Sequence, residues 1–180
     1  MAKNNQRKTL LLTGPPGVGK TTVIRRTADA LRNLAISGFR TDEICSRRGR
    51  TGFRITTFDG RSAILAHTGI SSPHRVGRYG VDIEALDRIV ESELQPDAGV
   101  DLFLVDEIGK MECFSDRFVT SVHDLLEAKV VLVATIQQGS DGFVGVVKQR
   151  EDIEIWEVTF DNRDSLPTRI VTWIRGRIGS

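Results

Sequence analysis

Apolar positions along this chain alternate between two rhythms. Thr9 to Thr13 is a short unbroken apolar run of the kind that forms a buried strand. Glycine punctuation follows, and from Lys20 to Leu34 the residues Val23, Ile24, Ala28, Leu31 and Leu34 recur on one helical face. A short strand carrying Phe39 is expected after Gly38. Phe53, Ile55 and Thr57 then alternate with polar neighbours, and the stretch from Arg61 to His67 has similar character, so the Asp59-Gly60 pair between them predicts a hairpin with a type I′ turn. Asp82 is placed to cap a helix that faces Ile83, Leu86, Ile89, Val90 and Leu94 inward and stops before Pro96. Leu102 to Val105 reads as the next buried strand, and Ser115 as the cap of a helix burying Phe118, Val122, Leu125 and Leu126. Val130 to Ile136 and Ile153 to Thr159 supply two more strands, and Ser165 to Arg175 a closing helix with Pro167 in its first turn. Trp156 and Trp173 follow these faces and are expected in the core.

Strands alternating with amphipathic helices predict an α/β fold with a mostly parallel central sheet flanked by helices. The hairpin stands apart from that pattern, as an inserted antiparallel extension. At 180 residues with no linker composition, residues 1–180 are expected to form one domain. Hydrophobic residues at 39% and charged residues at 27% exclude a disordered chain. The longest apolar stretches, such as Val130 to Ala134, fall far short of the roughly 20 residues a membrane helix needs. Met1 to Lys8 contains no signal-peptide core, so the expected location is cytoplasmic. A formal charge of +1 provides no global field for nucleic acid, which would need a local patch and is not favoured as a partner; protein partners are not readable. Cys45 and Cys113 suggest neither a disulfide framework nor zinc, and His67, His74 and His123 share no ligand spacing.

The chemistry enters at Gly14-Pro15-Pro16-Gly17-Val18-Gly19-Lys20-Thr21, a P-loop pattern lying where it should, between a buried strand and an amphipathic helix. Glycines let backbone N–H groups converge on phosphate oxygens, and the positive end of the following helix adds to the anion site. Lys20 is expected to reach the β and γ phosphates, Thr21 to ligate Mg²⁺, and Thr22 to reach the α phosphate. Asp106, expected at the exposed tip of the Leu102 strand, fits the acid that holds the Mg²⁺ shell. Glu107 beside it is the candidate to orient or deprotonate water, general-base help that is worth about 10² to 10⁴ in rate.

Secondary candidates surround this pair. Arg47, Arg48, Arg50, Arg54 and Arg61 gather around the hairpin; one of them is a candidate arginine finger, yet with no aromatic interleaving, solvation of an exposed ribbon is the simpler reading. Lys110, and Lys148 with Arg150, are candidates for phosphate contact against a background of ordinary surface charge. Thr135 and Gln137 sit where ligands gather, at the carboxyl end of a parallel strand. Asn162 and Arg163, beyond the last strand, are candidate nucleobase neighbours, although a helix-capping loop explains them almost as well.

The segment Asp106-Glu107-Ile108-Gly109-Lys110-Met111-Glu112 resembles the thermophile-type nucleoside-triphosphatase family, which includes the animal cancer-related nucleoside-triphosphatase. The resemblance extends through Gly38-Phe39-Arg40-Thr41-Asp42-Glu43, Gly52-Phe53, Arg78-Tyr79-Gly80-Val81-Asp82 and Asn162-Arg163, and so covers nearly the whole chain. It implies a small P-loop domain of the additional-strand, catalytic-glutamate type, hydrolysing several nucleoside triphosphates slowly, with Mg²⁺, to diphosphate and phosphate. Unlike that family, the stretch between Gly38 and Gly52 is rich in arginine. Two other functions fit the same motifs: a nucleoside or nucleotide kinase whose flap holds an acceptor, and a nucleotide-gated binding module.

Overall fold

The computed structural model describes residues 6–97 and 99–178. In chain order these form strand β1 (Thr9–Thr13), helix α1 (Lys20–Ala30), strands β2 (Ile36–Ser46), β3 (Gly49–Thr57), β4 (Ser62–His67), β5 (Arg75–Val76) and β6 (Tyr79–Val81), and helix α2 (Ile83–Glu93). Strand β7 (Leu102–Ile108), a 3₁₀ turn (Glu112–Phe114), α3 (Asp116–Ala128), β8 (Leu132–Ile136), α4 (Gly142–Lys148), β9 (Ile153–Glu157) and α5 (Leu166–Arg175) complete it.

The nine strands among the described residues share one sheet, in the order β5-β6-β4-β3-β2-β7-β8-β1-β9. From β2 to β9 the neighbours pair in parallel; from β3 outward they pair antiparallel. The parallel half is covered on both faces, which is why its strands read as continuous apolar runs. Along β1, Leu11 joins the cluster that includes Leu86 and Val90 of α2 and Phe118 and Val122 of α3. Leu10 and Leu12 join the opposite cluster, with Val23 and Ile24 of α1 and Ile170 and Trp173 of α5. Phe103 and Leu104 of β7 divide between the two faces in the same way.

The cap signals hold. Asp82 accepts a hydrogen bond from the Ala85 N–H at 2.9 Å, and Ser115 accepts one from the Phe118 N–H at 2.9 Å. Several boundaries differ from the sequence reading. Helix α1 stops at Ala30 rather than Leu34, because the Leu31 and Leu34 N–H groups close short turns onto Ala28 and Leu31 that redirect the chain into β2 while both leucines stay on the core. β8 begins at Leu132 and β9 ends at Glu157, each shorter than expected. Trp173 is buried as expected, whereas Trp156 is only half-buried beneath the Arg169 guanidinium.

The turn at Asp59-Gly60 is one residue longer than a type I′ turn. Thr57 N–H donates to Arg61 O and Gly60 N–H to Thr57 O, and only Gly60 takes a positive φ, of 97°. That is the three-residue loop with a left-handed glycine, and Asp59 avoids the strained conformation type I′ demands of it. Strand β2 is eleven residues long, not short. Its first part, from Ile36 to Phe39, pairs with β7, and at Gly38 the strands approach so closely that a Cβ would lie 1.9 Å from Leu104 O. Beyond Phe39 it pairs with β3 alone, as a ribbon closed by a two-residue turn at Arg47-Arg48.

Candidate active site

The carboxyl ends of the parallel strands converge on the loop between β1 and α1. Gly14, Gly17 and Gly19 all take positive φ. Gly14 is also the point where the segment after β9 presses on the loop: a Cβ there would lie 2.6 Å from Val158 O. No side chain caps the start of α1, so its first N–H groups face the loop cavity. Lys20 folds back across the loop, donating from Nζ to Gly14 O at 2.8 Å and Pro15 O at 3.3 Å, and lies 3.8 Å from Glu107 Oε2.

Asp106 is not at an exposed tip; it is 2% exposed. β7 continues past it to Ile108, and three neighbouring elements close over its carboxylate. Thr21 of α1 donates to Oδ2 at 2.6 Å, Thr135 of β8 to Oδ1 at 2.5 Å, and the Thr41 N–H of β2 to Oδ2 at 3.4 Å. The Thr41 hydroxyl donates to the Asp106 carbonyl at 2.6 Å. Burial pushes the Asp106 carboxyl above its ordinary range, against the three hydrogen bonds and the Lys20 charge, which favour the anion. Thr21 Oγ1 and an oriented carboxylate form a hard oxygen set that suits Mg²⁺ completed by phosphate and water oxygens. Thr135, a candidate for contact with ligand, is fully buried and orients Asp106 instead.

The Asp106–Glu107 peptide is cis, and the Glu107 side chain is 32% exposed at the cleft. Burial raises its pKa and the Asp106 charge adds to the rise, while Lys20 opposes it. Such an environment moves a carboxylate toward the range useful for accepting a proton near neutrality.

Glu112, whose place at the site sequence reasoning missed, lies on the other side of Gly109. A Cβ on Gly109 would meet Glu107 Oε1 at 2.8 Å and Glu112 Oε2 at 3.1 Å, so the glycine gives both carboxyls room. Glu112 is 5% exposed, and burial, with smaller contributions from the Glu107 and Asp106 charges, raises its pKa to about 8. A carboxyl raised in this way holds its proton more tightly folded than unfolded. Its contribution to stability is therefore complete below its ordinary value of 4.5 and is lost as pH rises toward 8. Glu112→Gln should flatten that decline: the difference in urea midpoint between pH 6 and pH 9, measured without nucleotide, is expected to be smaller in the variant than in the wild type.

These groups line a cleft of about 670 Å³ that runs from Gly17, Lys20 and Thr21 past Glu107, Lys110 and Gln137 to Arg50 and Phe53. Gln137 accepts from the Lys110 N–H at 2.8 Å, joining the ends of β7 and β8. A slightly larger cleft, about 700 Å³, opens among Lys8, Thr9, Lys129 and Asp152, at the amino end of β1 and away from the phosphate loop. Its lining includes Glu151 and Asp152 but no glycine and no residue of the phosphate loop.

The hairpin arginines separate. Arg47, Arg48 and Arg54 are exposed, as solvation of the ribbon predicts, and Arg61 ties the turn to α2 through Glu93. Arg50 alone lines the cleft, and here the sequence reading is corrected: it does have aromatic company. Its guanidinium lies 5.0 Å from the Phe53 ring centre and donates to Tyr79 Oη at 3.2 Å, while Glu43 pairs with it at 2.5 Å. Lys148 Nζ donates to Gln137 O and Gly139 O, holding the loop before α4, and Arg150 is committed to Glu127 and Asp152.

Asn162 and Arg163 lie beyond β9. The Asn162 amide is spent on its own loop, accepting from the Thr159 N–H at 2.9 Å and donating to Glu157 O at 2.8 Å. Arg163 reaches the phosphate loop, donating to Val18 O at 3.2 Å. Together with Gly19 and Thr22 it borders a smaller cleft of about 250 Å³. No helix among the described residues is long and apolar enough to cross a membrane.

The chain is similar to known proteins over most of its length. The model of the NTPase family matches residues 9–171. The nucleoside-triphosphatase THEP1 of Thermotoga maritima is 41% identical over 167 residues, covering 92% of this chain and 95% of that protein. The human cancer-related nucleoside-triphosphatase is 32% identical over 182 residues, covering 92% and 96%. The crystal structure of THEP1 from the hyperthermophile Aquifex aeolicus superposes with a TM-score of 0.80 at 30% identity, over 92% of this chain and 98% of that one.

Proposed function

The chain belongs to the NTPase family and is a nucleoside-triphosphatase, and from that premise we propose that it hydrolyses several nucleoside triphosphates slowly and with Mg²⁺, using Lys20, Thr21, Asp106 and Glu107 in distinct roles. The observation that carries the proposal is the meeting of two β7 carboxylates with the phosphate loop: Asp106 bonded to Thr21, and Glu107 3.8 Å from Lys20 Nζ. Gly14, Pro15, Pro16, Gly17, Val18 and Gly19 provide the loop, and Thr22 faces the α phosphate. A cytoplasmic location and one domain over residues 1–180 belong to the same reading.

Entry of a triphosphate gives Lys20 better partners than the Gly14 and Pro15 carbonyls it now holds, and its charge moves onto the β and γ oxygens. Thr21 and Asp106 would hold Mg²⁺, which when bound supplies positive charge against the phosphate oxygens. Water attacks the γ phosphorus and its proton passes to the Glu107 carboxylate. The bond to the β–γ bridging oxygen breaks, its electron pair stays on the nucleoside diphosphate, and inorganic phosphate leaves.

Phosphate release from ATP, GTP, CTP and UTP, with Mg²⁺ or a chelator, tests this. Comparable slow release from all four, abolished by the chelator, is expected, and Asp106→Asn should raise the Mg²⁺ concentration required as well as lower the rate. Release indifferent to the chelator would contradict the metal assignment. Phosphate found only on an added nucleoside acceptor would replace hydrolysis with transfer.

A further inference from the structure

Resting on the nucleotide site proposed above, we infer that Phe160 is the stacking platform for the nucleobase.

Phe160 is 66% exposed, the most exposed of the large apolar side chains among the described residues. Its position is not that of an idle surface residue. It follows β9, the strand beside β1, in a segment fastened to the phosphate loop at several points. Val158 N–H donates to Thr13 O at 2.7 Å, and the Val158 carbonyl presses on Gly14. The Arg163 N–H closes a turn onto Thr159 O, and its guanidinium reaches Val18 O. The Arg163 stem packs at Gly19, where a Cβ would lie 3.4 Å from Cδ, and its guanidinium carbon sits 5.0 Å from the Phe160 ring centre. A cation over the ring fixes the aromatic plane in advance and leaves the rest of its surface to solvent.

Two directions lead away from the phosphate loop. One follows the 670 Å³ cleft past Glu107, the side of the γ phosphate and the attacking water. The other follows Thr22, assigned above to the α phosphate and bordering both clefts, into the small cleft it shares with Arg163. The sugar and base continue from the α phosphate away from the γ phosphate, and on the second side the Arg163 guanidinium borders the cleft with the exposed Phe160 ring beside it.

Three of the polar side chains there are already engaged within the fold, while the Asp161 carboxylate beside Phe160 is exposed. Both ends of the Asn162 amide are bonded within its loop, the Arg163 guanidinium holds Val18 O, and Asp164 pairs with Arg26 at 2.9 Å. A site that reads a base needs donors and acceptors aimed at its edge, whereas a stacking face accepts any base because every base has a π surface. Asn162, bonded at both ends of its amide, is therefore a support of the platform.

The test is equilibrium affinity for ATP, GTP, CTP, UTP and inorganic tripolyphosphate, with KM and kcat, in the wild type, Phe160→Ala and Phe160→Trp. Phe160→Ala should weaken binding of all four nucleotides by about tenfold, more for the purines, while tripolyphosphate affinity stays at the wild-type value. The kinetic loss should fall on KM rather than kcat, and Phe160→Trp should recover nucleotide affinity. Unaltered nucleotide affinity in Phe160→Ala, or an equal loss for tripolyphosphate, would overturn the stacking role. A wild-type protein that binds neither ATP nor tripolyphosphate would instead overturn the phosphate-loop reading beneath it.

Discussion

Lys20→Ala is expected to lower turnover by about 10² to 10³ or more and to weaken triphosphate binding with it. The effect is large because Lys20 is the one side-chain cation shown within 4 Å of Glu107 among the described residues, and it is anchored by two loop carbonyls. Removing it takes a positioned charge from phosphate oxygens that gain negative character as the γ phosphoryl group departs. It also deletes the charge that holds down the Glu107 pKa, so the remaining carboxylate becomes a less available base at a given pH. Steady-state phosphate release and nucleotide affinity should both fall; retention of wild-type hydrolysis would remove the phosphate loop from the mechanism.

Glu107→Gln should behave differently, with loss of rate by about 10² or more and retention of binding. Glutamine keeps the size and much of the hydrogen bonding but cannot take a proton from water. The loop amides, Lys20, Thr21 and Asp106 remain, and one negative charge near the triphosphate is gone, so affinity is expected to hold or improve. The wild-type rate should rise with pH through the raised Glu107 pKa, since only the carboxylate accepts a proton, and that rise should be absent in the variant. Asp106→Asn makes the contrast, because there the loss should respond to added Mg²⁺.

Much of this machinery was legible in the chain, and what was not has identifiable physical causes. Asp82 and Ser115 announced helix starts because a cap is a local bond over three residues. The parallel strands were visible because burial on both faces makes them continuously apolar. The outer half of β2 was hidden because Arg40, Thr41, Asp42 and Glu43 form a ribbon without an apolar rhythm, and β5 and β6 because they are two and three residues long. Helix α4 was masked by Gly142 and Gly145, the second of which lets the helix settle onto the Ser140 carbonyl. At the site, Lys20, Thr21, Asp106 and Glu107 followed from motif and context. The burial of Asp106 did not, because Thr21, Thr41 and Thr135 come from separate strands and a helix. Arg50 likewise meets Tyr79 across 29 positions, a separation at which composition alone conveys no contact. Thr41 and Glu112 had one available signal, since both fall inside the segments that carry the family resemblance.

The most direct measurement is single-turnover cleavage of Mg²⁺·ATP by Glu107→Gln beside the wild type, with bound nucleotide quantified in the same samples. The proposed mechanism requires uncleaved ATP to persist on the variant, with the cleavage step slowed by about 10² or more. Cleavage at the wild-type rate by a fully loaded variant would show that Glu107 is only a strand residue bordering the cleft, and that the proton from water goes elsewhere.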